Sequence, residues 1–359
     1  MTKKNILLLP GDGVGPEIML EAIKVIDVLN ETNLSDISYD YADIGGIAID
    51  NHGTPYPDET SVKASRADCI LLGAVGTKKH EKNENKLKPE SGLLALRKSL
   101  DLYINVRPVF LFEALLESST IKSEVIKNLD IVIIRELIGG VYFGEPRGFK
   151  DGANRTGFNT MSYSENEVTR ISKYAFDLSN KRSAKVTSVD KANVLEASQV
   201  WRETVTKLHA DGYPGIKLDH MYVDNAAMQL IKDPKQFDVI LTENLFGDIL
   251  SDEASMLTGS IGMLPSASLS DVTGVYEPIH GSAPDIAGQG IVNPIAMILS
   301  VAMMFEYSLN NIKVSNLIKD AIENVLRSGI FTKDISNKKE FASTSEMGNA
   351  IIMEIKKHV

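Results

Sequence analysis

Asp248 and Asp252 stand four residues apart in ENLFGDILSDEAS, residues 243–255. Leu245, Phe246, Ile249 and Leu250 give that stretch an apolar side, so it reads as a helix, and i, i+4 spacing stacks the two carboxylates on one face. Like charges so placed repel. Either the face is solvated, or a cation sits between them. Asp224, in YVDNAAM where a strand gives way to a helix, offers a third carboxylate. Three carboxylates without a nearby histidine or cysteine suit a hard cation, Mg2+ or Mn2+, that keeps water and substrate oxygens in its shell. The competing reading is three surface or capping aspartates.

Arginines supply the complementary chemistry. Arg107 in INVRPV and Arg135 in IVIIREL interrupt runs too apolar to face solvent, and Arg97 in LLALRKSLDL reads with them as strand-edge. A guanidinium so placed needs a partner, and its fork grips a carboxylate at two points. Internal salt bridges, for example Arg135 with Glu136 or Glu145, are the alternative. Lys191 in SVDKANVLE follows a strand and precedes a helix, as a loop-borne catalytic group would. By itself it reads as a surface lysine, and Tyr142 in GGVYFGEPRG by itself reads as a packing aromatic.

The elements that must hold these residues alternate along the chain. Strand-like runs at 5–9, 37–44, 69–75, 103–109, 130–137, 184–190, 216–224 and 237–244 are interleaved with helical patterns, and three helical segments close the chain near 294–306, 314–328 and 344–358. This alternation indicates α/β architecture with helices packed on a largely parallel sheet. Two stretches break the rhythm. Residues 77–92 are polar and charged and read as a long exposed loop, and residues 139–164, rich in glycine and aromatics, read as a β-arm. In LPGDGVGPE the glycines at 11, 13 and 15 miss the dinucleotide fingerprint, because Pro16 stands where the third glycine is needed. A tight strand-to-helix turn explains them better, with Pro16 at the first helical position.

Composition excludes several functions. The chain has 359 residues, is 43% hydrophobic and 24% charged, and carries a net charge of −10, which argues against nucleic acid or an anionic membrane as partner. The single cysteine, Cys69, lies in an apolar strand-like run and reads as core packing. Its solitude fits a reducing compartment. No stretch reads as a signal peptide or a membrane span, so the expected location is the cytoplasm.

Taken together, LRKSLDLYINVRP, RELIGGVYFGEPRG, SVDKANVLE, YVDNAAM, TENLFGDILSDEASMLTGSIGMLPSASL and YEPIHGSAPDIAGQGIVNP resemble the β-decarboxylating dehydrogenases of the isocitrate/isopropylmalate family, over nearly the whole chain. The resemblance implies an α/β fold of two domains sharing a large mixed sheet, unlike the Rossmann type. Residues 1–102 and 259–359 would form the first, NAD-binding domain, and 103–258 the second, with the arm, the metal ligands and the dimer interface. It implies NAD-linked oxidation and decarboxylation of (2R,3S)-3-isopropylmalate to 4-methyl-2-oxopentanoate and CO2, a step of leucine biosynthesis. Isocitrate, homoisocitrate and tartrate or malate types remain alternatives, as does a non-catalytic regulatory subunit, although no ligand or base is lost here.

Carried over residue by residue, Arg97, Arg107 and Arg135 fall on the family's carboxylate clamp, with Leu93 and Asp224 also at the substrate. Asp224, Asp248 and Asp252 fall on the ligands of one Mg2+ or Mn2+ per subunit, and Tyr142 and Lys191 on the acid–base pair. Gly76, Glu90, His280, Gly281, Ser282, Ala283, Asp285, Ile286, Asn293 and Asp334 fall on positions that hold NAD. A monovalent cation stays open. The resemblance also implies a homodimer in which Lys191 and Asp224 serve the partner's site.

Overall fold

The computed structural model describes residues 3–152, 154–337 and 339–359. Ten strands form a mixed sheet. The chain divides into two compact units, one of Met1–Leu102, Leu111–Ser123 and Ser255–Val359, the other of Tyr103–Phe110 and Glu124–Ala254.

The first unit begins with β1 (Lys4–Gly11), α1 (Gly15–Glu31), β2 (Ile37–Tyr41), α2 (Gly46–His52), α3 (Asp58–Arg66), β3 (Cys69–Ala74) and α4 (Pro89–Ser99). β1 pairs in parallel with both β2 and β3, and Ile6 to Leu9 are buried, as expected of a parallel strand covered on both faces. Cys69 is buried on β3, and burial pushes its thiol up to about 12, which makes it a core residue.

The second unit contains β4 (Ile104–Phe110), α5 (Ser123–Ile126), β5 (Asp130–Glu136), β6 (Gly148–Lys150), β7 (Thr156–Phe158) and α6 (Glu165–Asn180). It continues with β8 (Lys185–Asp190), α7 (Glu196–Gly212), β9 (Lys217–Tyr222), α8 (Val223–Lys232), β10 (Val239–Thr242) and α9 (Asn244–Ser255). Its sheet order is β4-β5-β10-β8-β9, parallel throughout except for the antiparallel β4–β5 pair. The arm is a short antiparallel hairpin of β6 and β7, with Arg155 stacked on the exposed Phe149.

The chain then returns to the first unit with β11 (Pro265–Leu269), β12 (Gly274–Pro278), α10 (Ile295–Tyr307), α11 (Ile312–Arg327) and α12 (Thr344–Lys357). β11 and β12 are antiparallel, and β12 runs parallel to β3. Helix α10 is buried from Ile295 to Phe305, all round rather than on one stripe, as a central core helix must be.

Three expectations need correction. The sheet is less parallel than the alternation suggests, because β4–β5 and β11–β12 run antiparallel. Residues 77–92 are not one plain loop. They hold two short 3-10 turns, and α4 already begins at Pro89, so Glu90 is helical. Arg97 is likewise on α4 and not at a strand edge. The helix nucleates because Pro89 takes its first position with Glu90 in the first turn, two signals masked by the surrounding charge. Among the described residues, no helix is long and apolar enough to cross a membrane.

Candidate active site

In the second unit, strand register gathers the charged residues. Asn105 on β4 lies opposite Arg135 on β5, so the side chains of Asn105, Arg107 and Arg135 emerge on one face of the sheet. Arg135 also pairs with Thr242 at the end of β10, which puts it under the start of α9. The helix can lie there because residue 247 is glycine: a Cβ on Gly247 would come within 2.6 Å of the Arg135 side chain.

The outcome is a compact charge cluster. Arg135 donates to Asp248 Oδ1 at 2.5 Å and to Asn244 Oδ1 at 3.1 and 2.7 Å. Arg107 donates to Asn105 and Ser251, both at 2.6 Å, and lies 3.4 Å from Asp248 and 3.5 Å from Asp252. The Tyr142 hydroxyl donates to Asp248 Oδ2 at 2.9 Å. Its pKa is raised, first by burial and then by Asp248, so it keeps its proton. The Arg135 alternative partners, Glu136 and Glu145, are both wrong. Glu136 is the next residue of the strand and points to the opposite face, where it accepts from the backbone of Ile138 and Gly139. Glu145 accepts from the Arg147 backbone instead.

Lys191 and Asp224 form a second group. β8 and β9 run in parallel with Asp190 beside Tyr222, so the residues just beyond each strand meet, and Lys191 Nζ donates to Asp224 Oδ1 at 2.8 Å. That bond holds the Asp224 carboxyl below its usual range. Behind it the fully buried Asp190 binds Arg202 through two bonds of 2.9 Å and accepts from the Ala192 backbone, which fixes the turn carrying Lys191.

The oxygen-only chemistry of Asp248 and Asp252 fits a hard divalent cation. Asp252 has a raised pKa, chiefly from burial and in part from Asp248, with Arg107 and Arg135 acting in the opposite direction. No group of three metal-capable side chains forms among the described residues, and Asp224 stays with Lys191.

In the first unit, Arg97 is buried and donates to Glu277 of β12 at 2.9 Å. On α4, Glu90, Leu93, Leu94 and Arg97 recur at helical spacing and share one face, with both leucines half-buried. A cavity of about 580 Å3 is lined by His280, Gly281, Ala283, Ile286, Asn293 and Asp334, with Ser260–Gly262, Ile291, Val292 and Lys333 completing the wall. Asp334 accepts from Ser260 at 2.5 Å and Asn293 at 3.0 Å. His280 is kept neutral by burial; its Nδ1 meets the Gly281 carbonyl at 2.9 Å, and Nε2 is buried without a partner. An acceptor held dry in an apolar slot fits a heteroaromatic amine such as adenine. Ser282 is buried just behind the wall, and Asp285 is exposed.

The family profile described as isocitrate/isopropylmalate dehydrogenase matches residues 5–351. The chain belongs to that family. It is 54% identical over 353 residues to the 3-isopropylmalate dehydrogenase of Wolinella succinogenes, covering 98% of each chain. It is 55% identical to that of Hydrogenovibrio crunogenus, covering 97% of this chain and 99% of the relative. Among solved structures, isocitrate dehydrogenase from Methylococcus capsulatus superposes with a TM-score of 0.89 at 32% identity, covering 98% of this chain and 99% of that one. The mixed sheet flanked by helices is the fold of this dehydrogenase family.

Several residues of the site carry no signal in the sequence. Asn244, Asn105, Ser251 and Glu277 hold the three arginines, yet each reads as an ordinary polar residue. Ser260 and Lys333 join the cavity from distant segments. Gly247, a glycine inside a helical pattern, is the kind of local signal that can mark such a close approach.

Proposed function

We propose that the protein oxidises and decarboxylates (2R,3S)-3-isopropylmalate to 4-methyl-2-oxopentanoate and CO2, with NAD+ as acceptor and Mg2+ or Mn2+ bound. The observation that carries the reading is the cluster of Arg107, Arg135, Tyr142, Asp248 and Asp252 on one face, with both arginines nearly buried. Two fixed guanidinium groups are suited to a substrate carboxylate, and two aspartates to the cation that travels with it. Bound NAD+ would supply the hydride acceptor for C2, and a cation held by Asp248 and Asp252 would supply Lewis acidity at the C2 oxygen.

The chain's own groups supply the rest. Arg107 and Arg135, already oriented by Asn105, Ser251 and Asn244, hold the malate carboxylate, with Arg97 as the third member of the clamp. Lys191 removes the C2 hydroxyl proton. Loss of CO2 from the resulting β-keto acid leaves C3 to be protonated, and Tyr142 holds a proton to give it. Leu93 and Leu94, on the same face of α4 as Arg97, offer apolar surface to the isopropyl group, each methyl contributing on the order of 1 kcal/mol. Those leucines cannot satisfy the extra carboxylate of isocitrate.

NAD would occupy the 580 Å3 cavity with its adenosine against His280, and Asp285 would accept from the ribose hydroxyls, as Glu90 and Gly76 approach the nicotinamide. Residues 1–102 and 259–359 would thus serve the cofactor, and 103–258 the metal and the interface. A homodimer with shared sites is supported by α8, where the exposed Met228 and Ile231 follow Asp224 at helical spacing. An apolar stripe beside an exposed carboxylate suits burial against a second copy. The protein would then work in the cytoplasm.

Turnover of 3-isopropylmalate, isocitrate and malate, each with NAD+ and NADP+, tests the reading. Isopropylmalate should exceed isocitrate in kcat/KM by several orders of magnitude, because an unpaired buried carboxylate is strongly rejected. Equal values for the two substrates would refute it.

A further inference from the structure

The turn GDGVGPE, residues 11–17, contributes no atom to the cavity, yet it is tied to both chain segments that border the cofactor site. Its glycines are forced by these ties. Gly11 and Gly13 have φ of 68° and 58°, and a Cβ on either would come within 2.0 Å of a carbonyl oxygen, that of Ala74 or of Ser282. At the front of the turn, Asp12 is buried and accepts from the backbone of Gly46, Ile47 and Gly76, each at 2.8 Å. Gly76 is where the segment leading to Glu90 departs from β3. At the back, the Val14 amide donates to the Ser282 carbonyl at 2.9 Å. One helical turn on, Glu17 accepts from Gly288 with one oxygen and from Gly290, at 3.2 Å, with the other. Gly288 and Gly290 both have positive φ, 76° and 64°, which aims two amides of AGQG at one carboxylate.

We infer that Glu17 and Asp12 are positioning residues for the cofactor site. This rests on the NAD reading above. Glu17 belongs to the first turn of α1, a 17-residue helix packed into the core, so the carboxylate is fixed before any ligand arrives. The stretch from His280 to Gly290 has no regular hydrogen-bond ladder of its own; its shape is held by short turns, by these outside anchors and by the Thr344 amide, which donates to the Gly290 carbonyl at 2.9 Å. Without Glu17 its far end would sample other conformations, and only the fraction with the competent shape would bind. Apparent affinity for NAD+ falls by that fraction, whereas the second unit's charge cluster is untouched.

The test compares Glu17→Ala and Glu17→Gln with the unaltered protein. Hydrogen–deuterium exchange on the cofactor-free protein should show faster exchange at residues 286–290 in Glu17→Ala. Calorimetric titration with NAD+ should show affinity weakened about tenfold or more, as expected for loss of two charge-assisted bonds, with Glu17→Gln between the two. KM for 3-isopropylmalate and kcat at saturating NAD+ should stay within about twofold. Asp12→Asn should loosen the amides near residue 76 in the same exchange experiment. Unchanged NAD+ affinity in Glu17→Ala would overturn the inference, as would a matched loss in both KM values and in Tm, the mark of a general structural role. If the unaltered protein took up no NAD+ in the titration, the cofactor reading would fail and this inference with it.

Discussion

The two units build their sites from opposite materials. In the second, opposed charges are packed at hydrogen-bond distance: Arg107 and Arg135 on Asp248, Lys191 on Asp224. In the first, an apolar slot walled by Ile261, Ile286 and Val292 carries a few directional polar groups, His280, Asn293 and Asp334. The contrast matches the two ligands of the proposed function. A small dianion with a metal ion would be held by charge that is already fixed, which lowers reorganisation during reaction. A large aromatic cofactor would be held by buried area, with hydrogen bonds that select its orientation. Damage to the second unit should therefore appear in kcat, and damage to the first in the affinity for NAD+.

The sharpest way to break that division is Asp252→Asn. It should lower kcat by about a thousandfold or more while NAD+ affinity measured by titration stays within about twofold. Chelation should abolish turnover in the unaltered protein and Mg2+ or Mn2+ restore it. A parallel loss of NAD+ affinity in the variant would show that the two sites are not separable in this way.

Cofactor choice probes the first unit alone. NAD+ should be preferred over NADP+ by about a hundredfold in kcat/KM, because the exposed Asp285 carboxylate repels a 2′-phosphate. Asp285→Ala should erode that preference without changing kcat for NAD+. A native preference for NADP+ would remove Asp285 from the ribose.

Subunit sharing sharpens the comparison within the second unit, between the Asp248–Asp252 pair and the Lys191–Asp224 pair. Lys191→Ala and Asp252→Asn should each be inactive. Refolded together, they should recover about a quarter of full activity, since random pairing leaves that share of sites intact if each draws Lys191 from its neighbour. No recovery, with mixed dimers verified by mass, would place both groups in one chain's site.

The smallest effect concerns stability. Burial pushes Glu136 and Glu243 up to about 7. A carboxyl whose pKa is raised on folding contributes most below its unfolded value, about 4.3, and that contribution is lost as pH rises through 7. Unfolding free energy from urea titrations should therefore fall between pH 5 and pH 8, by on the order of 3 kcal/mol for each residue at most. Glu136→Gln should flatten the slope, whatever it does to absolute stability. A slope unchanged by the substitution would mean that Glu136 is ionised throughout.

Much of the fold follows from local pattern. The apolar run of β1, the period of α1 and the predominantly apolar run of α10 each report a backbone state that neighbouring residues suffice to choose. Elements lacking that pattern were not legible. β11 and β12, PSASL and GVYEP, are short and rich in serine, glycine and proline, and pair only because the chain returns to the same sheet. Helix α6 escaped because its capping box, Ser164 with Glu167, stands at the end of a glycine-rich arm.

By itself the sequence determined which residues could do chemistry: the i, i+4 aspartates, the arginines stranded in apolar runs, the lysine after a strand, and the motifs that they share with a dehydrogenase family. Only the tertiary structure decided whom each charge meets. Arg135 passes over Glu136, its neighbour in sequence, for Asp248, 113 residues away. Arg97 finds Glu277 at a separation of 180, and Glu17 finds Gly288 at 271. Alternation of side chains along a strand forbids the near partner, and strand register with helix packing supplies the far one. Periodicity is a property of neighbouring residues, whereas the partner of a buried charge is a property of the packed chain.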